Sequence, residues 1–322
     1  MKVRRAGPRD AGAIVELVNH VMSVRRTVDW FMHLHYGNPA GKSVLWLAED
    51  AGRVVAFRSI VPAVARYGTT RVLCGQLADA STDPDYRGQG LFSSVNESAI
   101  NEFLAGGGDL VFGFPGPMTY SRQIRQFGFV GVGEIPQLML PLTPSVARAA
   151  PPVLRPGVRL IAKVAAKSSR PVIPVGPVSL EDISFAELPG LSFVRDKATV
   201  QWRAAMPGRN YWLATLDSRN FVLLGETTRL GIGVCTIVDS RTSSSRNLGI
   251  LLRSAARWGR EQGFEGLYAW RPNRGTGVYL VQGFVPTFQT TKFIVRFSDE
   301  HKFKELRRVK EWNIRLLDAD AY

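Results

Sequence analysis

The stretch Asp79-Ala80-Ser81-Thr82-Asp83-Pro84-Asp85-Tyr86-Arg87-Gly88-Gln89-Gly90-Leu91-Phe92 passes from a strand-like run through a glycine turn into a helix. Glycine lets a backbone approach a ligand closely, and the first amides of a helix have no partner within the helix. Those donors and the helix dipole together form an anion site fit for a pyrophosphate. Arg87 adds a charge-assisted donor. Alone, so short an Arg-Gly-x-Gly is equally an ordinary helix-opening turn, and its surroundings must decide. The turn carries no lysine-serine pair of a nucleotide-triphosphate loop, and antiparallel strands precede it, so a Rossmann site fits poorly.

Outward from this turn, the chain begins with a strand at Met1–Arg5. A helix over 10–22 follows, with Asp10 as its candidate N-cap and Ile14, Leu17, Val18 and Val21 at helical spacing. Ser43–Glu49 and Arg53–Val64 read as a hairpin around Asp50-Ala51-Gly52, and Val72–Thr82 as the next strand. After Gly90, the residues Phe92, Val95, Ala99 and Phe103 mark the buried face of a helix that ends at Gly106-Gly107-Gly108. Asp109–Phe114 is a short buried strand, and a broken helix from Met118 leads to Phe127-Gly128-Phe129.

The chain is 322 residues long, room for two ordinary domains, and has no uninterrupted apolar run of membrane-spanning length. The basic start is followed by Pro8, Arg9 and Asp10 where a secretory segment would turn apolar, so a cytoplasmic protein is expected. Cys74 and Cys235 lie far apart in apolar runs and read as core residues. The net charge of +14 favours anionic partners without choosing among them.

Residues 141–180 are rich in proline and carry Arg148, Arg155, Arg159, Lys163, Lys167 and Arg170 with no acid. This segment is read as a linker between a first domain at 1–140 and a second at 181–322. A helix over 157–168 would align Arg159, Lys163 and Lys167 on one face, either as a solvated surface or as one that touches an anionic membrane or a phosphorylated substrate. Beyond it the chain echoes itself. Thr27-Val28-Asp29-Trp30 matches Thr199-Val200-Gln201-Trp202, the helix after Gly90 matches Gly249–Gln262, and Gly128-Phe129 matches Gly283-Phe284, all in the same order. This points to duplication. The second copy has Ser244-Ser245-Arg246-Asn247-Leu248-Gly249 where the first has its glycine turn.

The residues Asp79, Thr82, Pro84 and Tyr86 through Phe92 resemble motif A of the GCN5-related N-acetyltransferases (GNAT family). Val3-Arg4-Arg5 and Phe127-Gly128-Phe129 fall where that family keeps its first strand and the end of its fourth helix. Arg87 and Gly90 match the family loop, whereas Phe92 replaces its small last residue. The resemblance covers 1–140 well and 181–297 in outline. It implies an α/β (α+β) fold of two GNAT-like domains, each a mixed, mostly antiparallel sheet flanked by helices.

It also implies acetyl-CoA as donor, held by the amides of Gly88, Gln89, Gly90, Leu91 and Phe92 with Arg87. The acyl carbonyl would lie against the strand at Ala80, Ser81 and Thr82. An amine would attack the thioester directly, which requires a base, oxyanion donors and an acid for the leaving thiolate. Asp79, on the candidate central strand, is the expected base. Where the family usually offers a tyrosine as acid this chain has Ile124, so Tyr120, one turn earlier, is the substitute.

The expected product is an N-acylated small or carbohydrate-linked amine. The alternatives are a Fem-like aminoacyl transferase fed by aminoacyl-tRNA and a non-catalytic acyl-CoA binder. The glycine turn favours coenzyme A, and nucleic acid is not an expected partner. His33 and His35 have no evident third ligand, and no metal is expected.

Overall fold

The computed structural model describes residues 1–166, 172–179, 183, 190–229, 231–272 and 275–319. Lys167, Ser168 and Arg170, part of the expected basic segment, lie outside them. In chain order come β1 (Lys2–Arg5), α1 (Ala11–Met22), α2 (Val28–Tyr36), β2 (Val44–Asp50), β3 (Arg53–Tyr67), β4 (Thr70–Thr82) and α3 (Leu91–Ala105). Then follow β5 (Leu110–Gly113), α4 (Pro117–Gln126), β6 (Val130–Pro141), α5 (Arg155–Ala166), β7 (Val175–Pro177), β8 (Leu191–Phe193) and α6 (Lys197–Ala204). The last are β9 (Tyr211–Asp217), β10 (Asn220–Arg229), β11 (Ile232–Arg241), α7 (Ser245–Glu261), β12 (Gly266–Trp270), α8 (Thr276–Val281), β13 (Val285–Phe297) and β14 (Trp312–Asn313).

These elements form two units whose segments alternate along the chain. The first is Met1–Gly133 with Glu187–Gly208 and Lys292–Trp312; the second is Glu134–Ala186 with Arg209–Thr291 and Asn313–Tyr322.

In the first unit the strands run β1-β2-β3-β4-β5-β13, all antiparallel except the parallel β4–β5 pair. A parallel pair needs a crossover, and α3 supplies it. The β2–β3 turn uses left-handed Ala51 and Gly52 (φ 47 and 83), which suits the twist of a tight hairpin. One face of the sheet packs Ile14, Leu17, Val18, Phe31 and Leu34 of α1 and α2 against Leu47 and Phe57. The other packs Ala99 and Phe103 of α3 against Ile60, Leu77 and Val111. The apolar spacing read from the sequence thus faces the core on both sides. Asp10 differs from its expected role. Its side chain makes no cap for α1 and instead accepts from the Gly7 amide and pairs with Arg4 at 2.8 Å.

The second unit repeats the plan with the order β6-β12-β11-β10-β9-β7. Only β11–β12 is parallel, and α7 is its crossover. Leu248, Leu251, Leu252 and Ala255 of α7 pack on Val222, Leu224, Ile237 and Leu267.

The alternating segments differ from the contiguous boundaries of the sequence reading. Within 141–180, β7 adds an edge strand to β9, with Val175 opposite Ala214, and Val158 and Ala162 of α5 are buried in the second unit. Prolines that read as linker open short helical turns at Pro144 and Pro152, where a missing N–H costs nothing. Both cysteines are buried and free. No helix among the described residues is long and apolar enough to cross a membrane.

Candidate active site

At the glycine turn, Gly88 and Gly90 take φ of 80° and 78°. This left-handed backbone suits glycine and turns the chain sharply into α3. Gly90 is the N-cap and no side chain caps the helix, so its opening amides are left to water or a ligand. A Cβ at either glycine would meet nothing within 4 Å, so the space before the turn is open. In the second unit Ser244 caps α7 by accepting the Asn247 amide at 3.1 Å. The two matching helices therefore differ: one presents its amides, and the other satisfies one with its own side chain.

Arg87 and Gln89 are exposed at the turn, whereas Leu91 is buried and anchors the helix. Phe92 packs edge-on against Phe127 at 5.9 Å, and the Arg122 guanidinium lies 5.2 Å over its ring. This explains the phenylalanine at the usual small position: it faces the α4 end of the core rather than the turn's open side. Arg122 of α4, exposed over that ring, was missed by the sequence reading.

The strands β4 and β5 pair from Cys74/Leu110 to Gln76/Phe112 and then part, while β4 continues to Thr82. The expected opening lies beyond this parting. Ser81 Oγ and Thr82 Oγ1, at the end of β4, are buried and without a hydrogen-bond partner among the described residues. An unsatisfied buried hydroxyl is costly, so two at one strand end suit a site completed by a bound molecule.

Just before them β4 bulges. Arg58 opposes two residues, between the Ser59/Ala78 and Phe57/Ser81 pairs, and Asp79 takes a left-handed φ of 52°. Its carboxylate, 2% exposed, is ion-paired with Arg26 from the α1–α2 connection and stands 3.5 Å from His35 Nε2. Arg26 in turn stacks on Trp30 at 4.0 Å. His35 is fully buried, and its Nδ1 lies 3.0 Å from Ser43 Oγ. Burial first, and then the Arg26 cation, lowers this imidazole to about 3, so it stays neutral. The neutral ring carries one N–H, and the Ser43 hydroxyl can donate to Nδ1 or accept from it. The carboxylate expected to serve as a base is therefore already taken up by a cation.

Tyr120 lies on α4, partly buried against the core beside Phe92, with Lys292 Nζ 4.1 Å from its ring centre. Its hydroxyl rests on Gly131, where a Cβ would come within 2.5 Å. Ile124 packs in the same cluster. Two further polar groups escaped the sequence reading. Asn96 of α3 and Gln123 of α4, both buried, face each other with amide contacts of 3.4 and 3.5 Å. Asn96 carried a legible signal, because it falls on the apolar stripe between Phe92 and Ala99. His33 and His35 lie on α2, and His33 Nε2 contacts the Trp202 carbonyl at 2.7 Å. Among the described residues no group of three His, Cys, Asp or Glu could hold a metal ion.

Residues 2–130 match the family described as "Acetyltransferase (GNAT) domain". No curated protein matches the chain. Among solved structures, a GCN5-related N-acetyltransferase from Anabaena variabilis ATCC 29413 is 11% identical with a TM-score of 0.61, over 92% of this chain and 73% of that one. A probable N-acyltransferase from Enterococcus faecalis V583 is 11% identical with a TM-score of 0.62, over 94% and 74%. Saccharomyces cerevisiae N-myristoyltransferase with bound myristoyl-CoA is 10% identical with a TM-score of 0.63, over 92% and 82%. At such identities these likenesses speak for the fold.

Proposed function

We propose, from the match of residues 2–130 to the family described as "Acetyltransferase (GNAT) domain", that the protein is an acyl-CoA-dependent N-acyltransferase acting in the cytoplasm. We propose that it passes acetyl from acetyl-CoA to a primary amine of a small or carbohydrate-linked acceptor. The observation that carries this reading is the uncapped start of α3 behind two left-handed glycines. The amides from Gly88 to Phe92 would grip the pyrophosphate, with Arg87 supplying charge. Ser81 and Thr82, whose buried hydroxyls have no partner, would meet the acyl end of the donor in the opening between β4 and β5. The Ser244-capped α7 leaves the second unit without a matching anion site.

In this reading the neutral acceptor amine attacks the thioester carbonyl, and the C–S bond breaks once the C–N bond has formed. Tyr120 gives its proton to the departing thiolate, and water takes the proton released by the nitrogen and returns it to the phenolate. Asp79 acts as a positioning residue rather than the base. Its carboxylate is engaged by Arg26, and accepting a proton would break that pair. The second unit retains the same device. Its Ile237-Val238-Asp239 parallels Leu77-Ala78-Asp79, and buried Asp239 faces Arg315 at 3.7 Å. A buried aspartate kept where the glycine turn is lost favours a role in the fold.

Calorimetric titration of coenzyme A tests the reading. Wild type should bind and Gly90→Glu should not, since a carboxylate at the turn repels the phosphates. Equal heats from both would end the proposal. Thiol release from acetyl-CoA with a panel of amines tests transfer, and Tyr120→Phe should lower kcat while leaving coenzyme A affinity intact. Loss of affinity in that variant would move Tyr120 from the chemistry to the packing.

A further inference from the structure

The second unit contains an apolar pocket of about 280 Å³, between the segment 146–161 and the start of β13. Met139, Val146, Leu154, Val158, Ile161 and Phe288 form most of its wall, and the Thr287 hydroxyl is the only polar side-chain group among the lining residues. Such a wall offers nothing to a polar ligand and suits an aliphatic chain.

Its surroundings narrow the occupant. Phe288 lines the pocket yet is 72% exposed, on a left-handed backbone with φ 60°. A bulky residue in that conformation is strained, and such strain is retained where the surroundings or a function require it. Val153 and Leu160 are 83% and 63% exposed on the same segment. Beside them Arg159 and Lys163, four apart on α5, are exposed and form no ion pair among the described residues. The stretch 141–166 holds four cations and no acid.

We infer that this face of the second unit docks on an anionic lipid bilayer. One acyl chain enters the pocket, and Arg159 and Lys163 lie against the headgroup phosphates. A soluble amphiphile would fill the pocket but leave Val153, Leu160 and Phe288 in water, whereas a bilayer interface covers all three. Unpaired cations beside apolar side chains match the charge and polarity profile of an anionic membrane surface.

Flotation of the full chain with phosphatidylcholine vesicles, with and without phosphatidylglycerol, provides the test. Binding should require phosphatidylglycerol. Arg159→Glu with Lys163→Glu should weaken it by about tenfold or more, and Phe288→Ser with Leu160→Ser should weaken it comparably. All four positions are exposed, and unchanged thermal unfolding checks that the variants are folded. Equal flotation of wild type and variants would overturn the inference. So would uptake of cis-parinaric acid without vesicle binding, which would make the pocket a site for a free fatty acid. Dimerisation in sedimentation velocity that the same substitutions abolish, without vesicle binding, would assign the face to a second copy of the chain and also overturn it.

Discussion

At the scale of single residues, the Arg26–Asp79–His35 cluster sets what the candidate cleft can do. Removing one partner of a buried ion pair typically costs about 3–5 kcal/mol, because the remaining charge keeps its desolvation penalty. Asp79→Ala should therefore lower stability by about that amount in urea unfolding. A cost below about 1 kcal/mol, the range of exposed pairs, would show that the pair does not hold the fold. The adjacent imidazole gives a pH dependence of known sign. His35 titrates at its ordinary 6.5 in the unfolded chain and at about 3 in the native one, so only the unfolded state takes up a proton between these values. Its contribution is complete above pH 6.5 and declines as pH falls toward 3, by up to about 1.4 kcal/mol per pH unit. His35→Phe should flatten the loss of urea stability between neutral and mildly acidic buffer. An unchanged slope would place the acid sensitivity elsewhere. Little of this cluster was legible in the sequence. The glycine turn was, because its spacing is local, but Arg26 and Asp79 meet across 53 residues and only through a bulge.

At the scale of elements, the junction of β3, β4 and α3 fixes where the cleft opens. Gly75 pairs with Val111 one residue before β4 and β5 part. A Cβ there would come within 2.5 Å of Ile60 Cγ2 and 2.8 Å of Phe103 Cε1, so α3 lies directly on the glycine. Gly75→Ala should destabilise the protein by about 1–3 kcal/mol, the usual cost of overpacking, with a lower melting temperature as the readout. A variant as stable as wild type would mean that α3 can lift from the sheet. The strongly periodic elements were readable at this scale. The helices α1 and α3 and the β2–β3 hairpin lie within a few residues of their expected bounds. The short strands β7, β8 and β14 were not, since two or three residues hold no period. The same limit hid the role of Pro144 and Pro152, which open helical turns within the second unit.

At the scale of the molecule, the second unit has the strand order of the first, but Thr199-Val200-Gln201-Trp202, read as an echo of Thr27-Val28-Asp29-Trp30, lies in the first unit itself, and the assignment of segments to units was not legible. That assignment depends on strand pairs remote in sequence, and no local pattern encodes them. The first unit takes Ile294, Val295 and Phe297 of β13 as the neighbours of Gly113, Phe112 and Leu110 on β5. It also takes β8 against β3 and the Trp202 side chain into the α1–α2 core. A fragment of residues 1–140 would keep the glycine turn and the family-matched segment yet leave β5 as an uncovered, wholly apolar edge, Leu110-Val111-Phe112-Gly113. Such edges pair with other chains. We expect that fragment to aggregate or show no cooperative unfolding when expressed alone, and co-expression with residues 141–322 to restore a soluble species that binds coenzyme A. A monomeric 1–140 fragment with a sharp thermal transition would show that the strands supplied from later in the chain are dispensable. The glycine turn would then belong to a self-sufficient module rather than to one that becomes stable only after the last strand is made.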